Sequence, residues 1–308
     1  MEKPKIVVIG SSNTDMVVKV PHIPAPGETI LGTGFMTISG GKGANQAVAA
    51  ARAGADVTFI ACVSDDSFGK QAVENYQADG IDTSCIKIQS GTHSGIALIN
   101  VAEDGENSIS VAPGANSYLF PEDIHGFEAA FDGAKVVLAQ LEIPIETVEA
   151  AAEIAHEKGI SFILNPAPGA VIPESLLNKV TIITPNETEA AIITSRKDFS
   201  EKDIPEMAGE LFEKEGLTVL LTLGSKGVYL KTFDFEGIIP GYKVKAVDTT
   251  AAGDVFNGAL AAALAGEMEL NDAVDFAQRA AAISVTRMGA QPSAPTLDEI
   301  QHVQLKSI

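Results

Sequence analysis

The stretch KVVLAQLEIPIETVEAAAEIAHEKGISFIL (135–164) decides the fold. It opens with a short apolar run over 135–141, passes into a helical pattern over 145–158 and closes in a second apolar run over 161–164. Run, helix, run is the pattern of a βαβ unit, in which a helical crossover brings two parallel strands into one sheet. Working outward, the rhythm continues in both directions. Strands are expected over 5–9, 57–63, 180–184 and 218–223, and helices over 44–53, 69–79, 187–194 and 204–215. The alternation predicts an α/β fold with a central, mostly parallel sheet flanked by helices. No fixed-period repeat or low-complexity linker divides the 308 residues, and 1–308 is read as a single domain.

Two stretches break the rhythm. From about 14 to 39 the chain is β-like, interrupted by Pro21, Pro24, Pro26 and Gly27. From 94 to 112, strand-like runs over 95–101 and 108–112 flank the turn residues Glu103-Asp-Gly-Glu106. These are expected to form a small β-sheet lid of antiparallel strands standing off the main sheet. Near the C-terminus, AAGDVFNGALAAALA (251–265) is nearly all small or apolar and should be a buried helix, followed by a second over 271–286.

Charge and composition exclude several classes. A net charge of −20 argues against a nucleic-acid-binding face, which must be basic. No run of eighteen or more apolar residues exists to span a bilayer, and the N-terminus has no secretory pattern, so a cytoplasmic location is the default. Cys62 and Cys85 lack metal or redox spacing and read as reduced packing residues. The histidines (His22, His93, His125, His156, His302) are scattered, which leaves no zinc motif and no Ser-His-Asp arrangement.

The chemistry sits in four strings. No Walker P-loop and no G-x-G-x-x-G after the first strand are present, so any phosphate is held by another loop. Asp248-Thr-Thr-Ala-Ala-Gly-Asp254 runs straight into the buried helix. Small residues at Ala251, Ala252 and Gly253 leave the backbone amides bare where the helix dipole is positive, a cradle for phosphate. Asp254 at the same helix start could accept the proton of an attacking hydroxyl; its bland reading is a helix cap. Ser39-Gly-Gly-Lys-Gly-Ala-Asn-Gln-Ala47 again opens a helix, with Gly40, Gly41 and Gly43 allowing backbone approach to a ligand and Lys42 and Asn45 offering donors. Asn13 and Asp15 follow the first strand, where open α/β sheets bind ligands, and suit a polyol; a plain turn is the alternative. Asn186 and Glu189 in Thr184-Pro-Asn-Glu-Thr-Glu189 could organise hydrated Mg²⁺ or be a capping pair. Thr222-Leu-Gly-Ser-Lys-Gly227 ends a strand in a glycine turn suited to a nucleotide.

With GGKGANQAVAA, DTTAAGDVFNGAL, QLE (140–142), NPAP (165–168), TPNETEA and TRMGAQPS (286–293) in this order, the chain resembles the ribokinase family of carbohydrate kinases over essentially its whole length. The resemblance implies the ribokinase-like fold with its lid, a homodimer formed through that lid, ATP with Mg²⁺, and K⁺ as a monovalent cation. It implies sugar contacts at Asn13, Asp15, Gly41, Lys42, Asn45 and Glu142. Asp254 takes the part of catalytic base, and Ala251, Ala252 and Gly253 supply an anion hole. Nucleotide contacts fall on Asn186, Thr222, Gly224, Ser225, Gly227 and Gly253, with Glu189 influencing Mg²⁺. The cation positions are Asp248, Thr250, Ser284, Arg287, Gly289 and Ser293, several acting through main-chain carbonyls. Gln278 departs from the His or Asn usual near the adenine. The activity implied is transfer of the ATP γ-phosphoryl group to the 5-hydroxyl of D-ribose. Deoxyribose, fructose or a nucleoside is the alternative within the class; Phe35, Ile38 and Ile96 would be the apolar lid residues holding a base. A non-catalytic sugar sensor is the alternative outside it.

Overall fold

The computed structural model describes residues 3–213 and 217–307. In chain order the first third comprises β1 (Lys5–Ile9), β2 (Asn13–Val20), β3 (Gly34–Gly40), α1 (Lys42–Arg52), β4 (Asp56–Ser64), α2 (Ser67–Ala78), β5 (Ile86–Gln89), β6 (Gly95–Ala102) and β7 (Asn107–Ala112). The middle holds α3 (Pro121–Gly126), β8 (Val136–Ala139), α4 (Ile145–Glu157), β9 (Ser161–Leu164), α5 (Glu174–Leu177), β10 (Ile182–Ile183), α6 (Glu187–Ile193) and α7 (Ile204–Phe212). The rest is β11 (Thr218–Thr222), β12 (Gly227–Lys231), β13 (Glu236–Pro240), β14 (Tyr242–Lys243), α8 (Ala252–Ala265), α9 (Leu270–Ser284), α10 (Leu297–His302) and β15 (Lys306–Ser307). The helix expected over 204–215 runs to Phe212; residues 214–216 lie outside the described residues.

The main sheet has nine strands in the order β13-β12-β11-β10-β9-β8-β1-β4-β5. All pair in parallel except the β11–β12 and β12–β13 neighbours at one edge. β1 shows why both faces are covered: Ile6 and Val8 enter one core with α1, α8 and α9, while Val7 and Ile9 enter the other with α4 and α7. A strand buried on both sides must be apolar there, and β1 is from Ile6 to Ile9, the four residues that are buried. Strand order reverses beside β1, with β8 on one flank and β4 on the other. In open α/β sheets a crevice forms at such a reversal, beyond the strands' C-terminal ends. Here those ends lead into Gly10–Asp15 and Gln140–Glu142.

A second sheet, of order β3-β2-β6-β7, stands apart. Its β2–β3 and β6–β7 pairs are antiparallel, but β2 pairs with β6 in parallel, which corrects the all-antiparallel expectation. The long excursion through α1, β4, α2 and β5 returns the chain to the same end of the sheet, as a parallel pair requires. Strand β8 also stops short of the expected Leu141, and β10 covers only part of 180–184. The side chains at those ends, Gln140 and Thr184, are committed to buried hydrogen bonds near the crevice. Among the described residues no helix is long and apolar enough to cross a membrane.

Candidate active site

The start of α8 organises the crevice. Ala251 precedes the helix in the left-handed conformation (φ 59°), and no side chain caps the first turn. A left-handed alanine costs about 1–2 kcal/mol. In the first turn the Ala252 amide donates to the Thr249 carbonyl at 3.3 Å, while the Gly253 amide has no such partner and a Cβ on Gly253 would meet nothing within 4 Å. Asp254 is the third residue of the helix, so it is not the cap. Its carboxylate instead turns towards α1, where Oδ2 accepts from Asn45 Nδ2 and Oδ1 from Gln46 Nε2, both at 2.9 Å. Burial pushes the Asp254 pKa up, against the opposing pull of the Lys42 ammonium and of these two amides.

The glycine-rich loop before α1 packs against the chain that follows β1. Gly41 has φ 89°, and a Cβ there would lie 2.7 Å from the Asn13 nitrogen; on Gly43 it would lie 2.5 Å from the Ser11 nitrogen. The missing side chains let this loop press on the backbone after β1. The contact carries Lys42 to Glu142: the Lys42 amide and Ser11 Oγ both donate to Glu142 Oε2, at 3.0 and 2.6 Å, while Lys42 Nζ stands 3.9 Å from Oε1. Burial alone would lower the Lys42 pKa, but Asp254, Glu142, Glu189 and Asp15 hold it above its ordinary value. Asp15 is pushed up to about 6 by burial, with Glu142 and Asp254 adding to the effect and Lys42 opposing it. One ammonium among these acids suits a neutral polyol better than a phosphorylated sugar.

Asn13 is held by a partner that the sequence reading missed. Asn116 Nδ2 donates to Asn13 Oδ1 at 2.7 Å, and Asn116 Oδ1 accepts from the Ser12 amide at 2.8 Å. The Asn13 amide therefore presents its NH₂ as the free group. Asn45 keeps a buried Oδ1 with no protein partner, an acceptor ready for a ligand hydroxyl. Also missed were Gln46, Gln140, Asn165, Thr184 and Asn257, which tie α1, β8, β9, β10 and α8 together beneath Asp254. Gln46, Gln140 and Asn165 stand inside strings already singled out, but only the fold turns them inward.

Two chambers meet at the first turn of α8 and share Thr222, Gly224, Thr249, Ala252 and Gly253. One, of about 680 Å³, is walled by Val228, Val244, Ala246, Phe256, Ala281 and Val285, with Ser225 and Gly227 on its rim. Gln278 is buried in it, and neither polar atom of its side chain has a protein partner. The other, of about 480 Å³, is polar and holds Lys42, Asn186, Glu187, Glu189 and Asp254. Asn186 and Glu189 form a reciprocal capping box on α6: Asn186 Oδ1 accepts from the Glu189 amide at 2.8 Å, and Glu189 Oε2 from the Asn186 amide at 2.9 Å. Glu189 Oε1 has no such bond, and burial raises this carboxyl's pKa.

The third group comes together only in part. Asp248 Oδ1 accepts from the Thr250 amide and Oδ2 from the Gly289 amide, both at 2.9 Å. Burial would raise its pKa, yet the hydrogen bonds from Thr250 and Gly289 win and hold it low. Arg287 points elsewhere and pairs with Glu299 at 2.5 Å. The Ser284 and Ser293 hydroxyls donate to carbonyls of their own turns, Ala281 and Ala290. Among the described residues no cluster of three or more His, Cys, Asp or Glu side chains could hold a metal.

An apolar chamber and a polar crevice meet at the uncapped start of α8 beside the buried Asp254, as a carbohydrate kinase requires; residues 3–297 match the pfkB family carbohydrate kinases, and the chain belongs to that family. Within it, the chain is 46% identical over 294 residues to the ribokinase of Haemophilus influenzae, covering 96% of each. A ribokinase structure from Thermotoga maritima is similar at TM-score 0.87 and 38% identity, over 96% of this chain and 97% of that one. The Arabidopsis thaliana ribokinase complexed with ribose and ATP is similar at TM-score 0.90 and 30% identity, over 97% and 98%.

Proposed function

We propose that this enzyme transfers the γ-phosphoryl group of ATP to the 5-hydroxyl of D-ribose, giving ribose 5-phosphate and ADP. The observation that carries the proposal is Asp254: a buried carboxylate, held by two amides, in the first turn of a helix that no side chain caps. The ribose hydroxyls are met by the NH₂ of Asn13, the carboxylates of Asp15 and Glu142, the free Oδ1 of Asn45, and Lys42. The adenine lies in the apolar chamber against Gln278, and the phosphates pass Thr222, Gly224, Ser225 and Gly227 towards α8. Asp254 accepts the proton of the 5-hydroxyl as its oxygen attacks the γ-phosphorus in line and ADP leaves. The free Gly253 amide at the start of α8 and the Lys42 ammonium meet the charge on the transferring group.

The acidic, polar chamber fits Mg²⁺ bound through water, with Glu189 Oε1 the free carboxylate oxygen. When bound, Mg²⁺ neutralises phosphate charge during transfer. The carbonyls around Asp248 fit K⁺, with Asp248 as the one carboxylate of the set. We read residues 14–39 and 94–112 as a lid on a single domain and the protein as a homodimer paired through it. Phe35, Leu98, Ile109 and Val111 of the second sheet are each more than half exposed, which supports such pairing. Cys62 and Cys85 are both free, as suits the reducing cytoplasm.

The nucleoside alternative loses two of its three lid residues. Ile38 pairs with Asp15, but Phe35 pairs with Val18 and Ile96 with Thr14, so Phe35 and Ile96 stand on the opposite face from Asp15. The deciding experiment measures ADP release with ribose, deoxyribose, fructose and nucleosides, with Mg²⁺ present. Ribose should give the highest kcat/KM. Sugar binding without ADP release would favour a sensor, and a stronger response to another acceptor would move the substrate.

A further inference from the structure

We infer that Gln46 is a positioning residue: its buried amide, clamped by Gln140 and Asn165, fixes the Asp254 carboxylate in the direction of the incoming hydroxyl. The inference rests on Asp254 being the base. Gln46 is fully buried, and both ends of its side chain are bonded. Nε2 donates to Asp254 Oδ1 at 2.9 Å and to Asn165 Oδ1 at 3.0 Å, and Oε1 accepts from Gln140 Nε2 at 2.6 Å.

The direction of every bond follows from one fixed point. The main-chain carbonyl of Thr184 can only accept, so the Asn165 group facing it at 3.0 Å is the NH₂. Asn165 Oδ1 then faces Gln46 and needs a donor, which assigns Nε2 to that side and Oε1 to Gln140. A flipped Gln46 would set its oxygen against two acceptors and its NH₂ against a donor. The donor to Asp254 is thus dictated from the ends of β9 and β10.

A network serving only as glue between elements has no need to end on a carboxylate, and apolar side chains of similar volume could replace it. This one ends on Asp254 Oδ1. Hydrogen bonds donated to a carboxylate favour its charged form, here against burial that opposes it. Lys42 of α1 adds to that support, while Glu142 after β8 opposes it. Asp15 of β2 and Glu189 of α6 are the other ionisable groups that interact with Asp254. Loss of the Gln46 donor should therefore raise the pH at which the base becomes available.

The test is the pH profile of kcat/KM for ribose in wild type, Gln46→Met and Gln46→Glu, with Asp254→Asn alongside. A hydrogen bond to a charged group corresponds to about one pK unit or more. In Gln46→Met the acidic limb should move up by about that much, with kcat recovering at high pH and KM for ATP within about two-fold of wild type. Gln46→Glu keeps the volume and the acceptor for Gln140 but adds a second carboxyl, and its limb should move up at least as far. Should Gln46→Met fail to fold, the neutral Gln46→Leu decides in its place, because the charge added by Gln46→Glu raises the limb whether or not Gln46 positions the base. Uniform loss of activity at every pH, with the limb unmoved in the folded variants, would overturn the inference and leave a structural role. Near-normal turnover in Asp254→Asn would instead remove the base and the inference with it, which separates the two failures.

Discussion

Gly258 in the middle of α8 lies against α1, and replacing it with alanine should slow catalysis from well behind the site. A Cβ there would stand 2.5 Å from the Gln46 carbonyl oxygen, 2.7 Å from the Ala49 Cβ and 2.8 Å from the Ala50 nitrogen. Ordinary contact begins near 3.4 Å, so the two helices must separate by roughly 0.6–0.9 Å at this point, an overpacking that costs about 1–3 kcal/mol. The melting temperature should fall by several degrees. α1 carries Asn45 and Gln46 and α8 carries Asp254, so the two 2.9 Å bonds that orient the carboxylate span this seam. A misplacement approaching 1 Å can cost about a hundred-fold in rate, and we expect kcat to fall roughly 10- to 100-fold with KM for ATP little changed. Gly209 in α7 is the control, because a Cβ there meets nothing within 4 Å. Gly209→Ala should stabilise by up to about 1 kcal/mol through helix propensity and leave kcat alone. Steady-state kinetics and thermal melts of both variants suffice. Wild-type kcat and stability in Gly258→Ala would refute the claim that this seam positions the base.

Three further outcomes follow from the site. Gly253→Ala should keep or slightly raise the melting temperature, because its methyl enters open space, yet it should weaken ATP use several-fold by obstructing the helix start; calorimetric ATP titration checks it. Asp15 prefers its neutral form when folded, so the stability tied to that carboxyl is present below about pH 4 and is lost as pH rises through about 6. Asp15→Asn should accordingly stabilise the protein by roughly 1–3 kcal/mol at pH 8 and hardly at all at pH 4, while KM for ribose rises; melts at the two pH values measure the difference. Replacing K⁺ with Na⁺ in the assay should lower activity if main-chain carbonyls near Asp248 hold the cation, and equal rates in both salts would remove that site.

Much of this was legible in the sequence because it depends on local pattern. The 135–164 stretch sets β8, α4 and β9 to within about two residues, since a parallel strand buried on both faces has no choice but continuous apolar residues. Sites that need pairing information were less legible. The parallel β2–β6 pair joins segments separated by α1, β4, α2 and β5, and no local signal gives their direction. Gly41 and Gly43 announced a close approach, but not that the visitor is the backbone after β1. Asn186 and Glu189 are the clearest ambiguity: the capping-box spacing is real, and the chamber beside it adds what spacing alone could not. Gln46, Gln140 and Asn165 stood in plain view, but uncharged amides become informative only when their partners are known.

The carboxylate at the start of α8 is the centre of the proposed chemistry. Asp254→Asn changes one atom and keeps the volume, so ATP and ribose should still bind, each measured by calorimetry. Turnover, followed as ADP release, should drop by about 10²–10⁴, the contribution of a general base. If the variant instead turns over within a few-fold of wild type, another group takes the proton and the proposed chemistry is wrong.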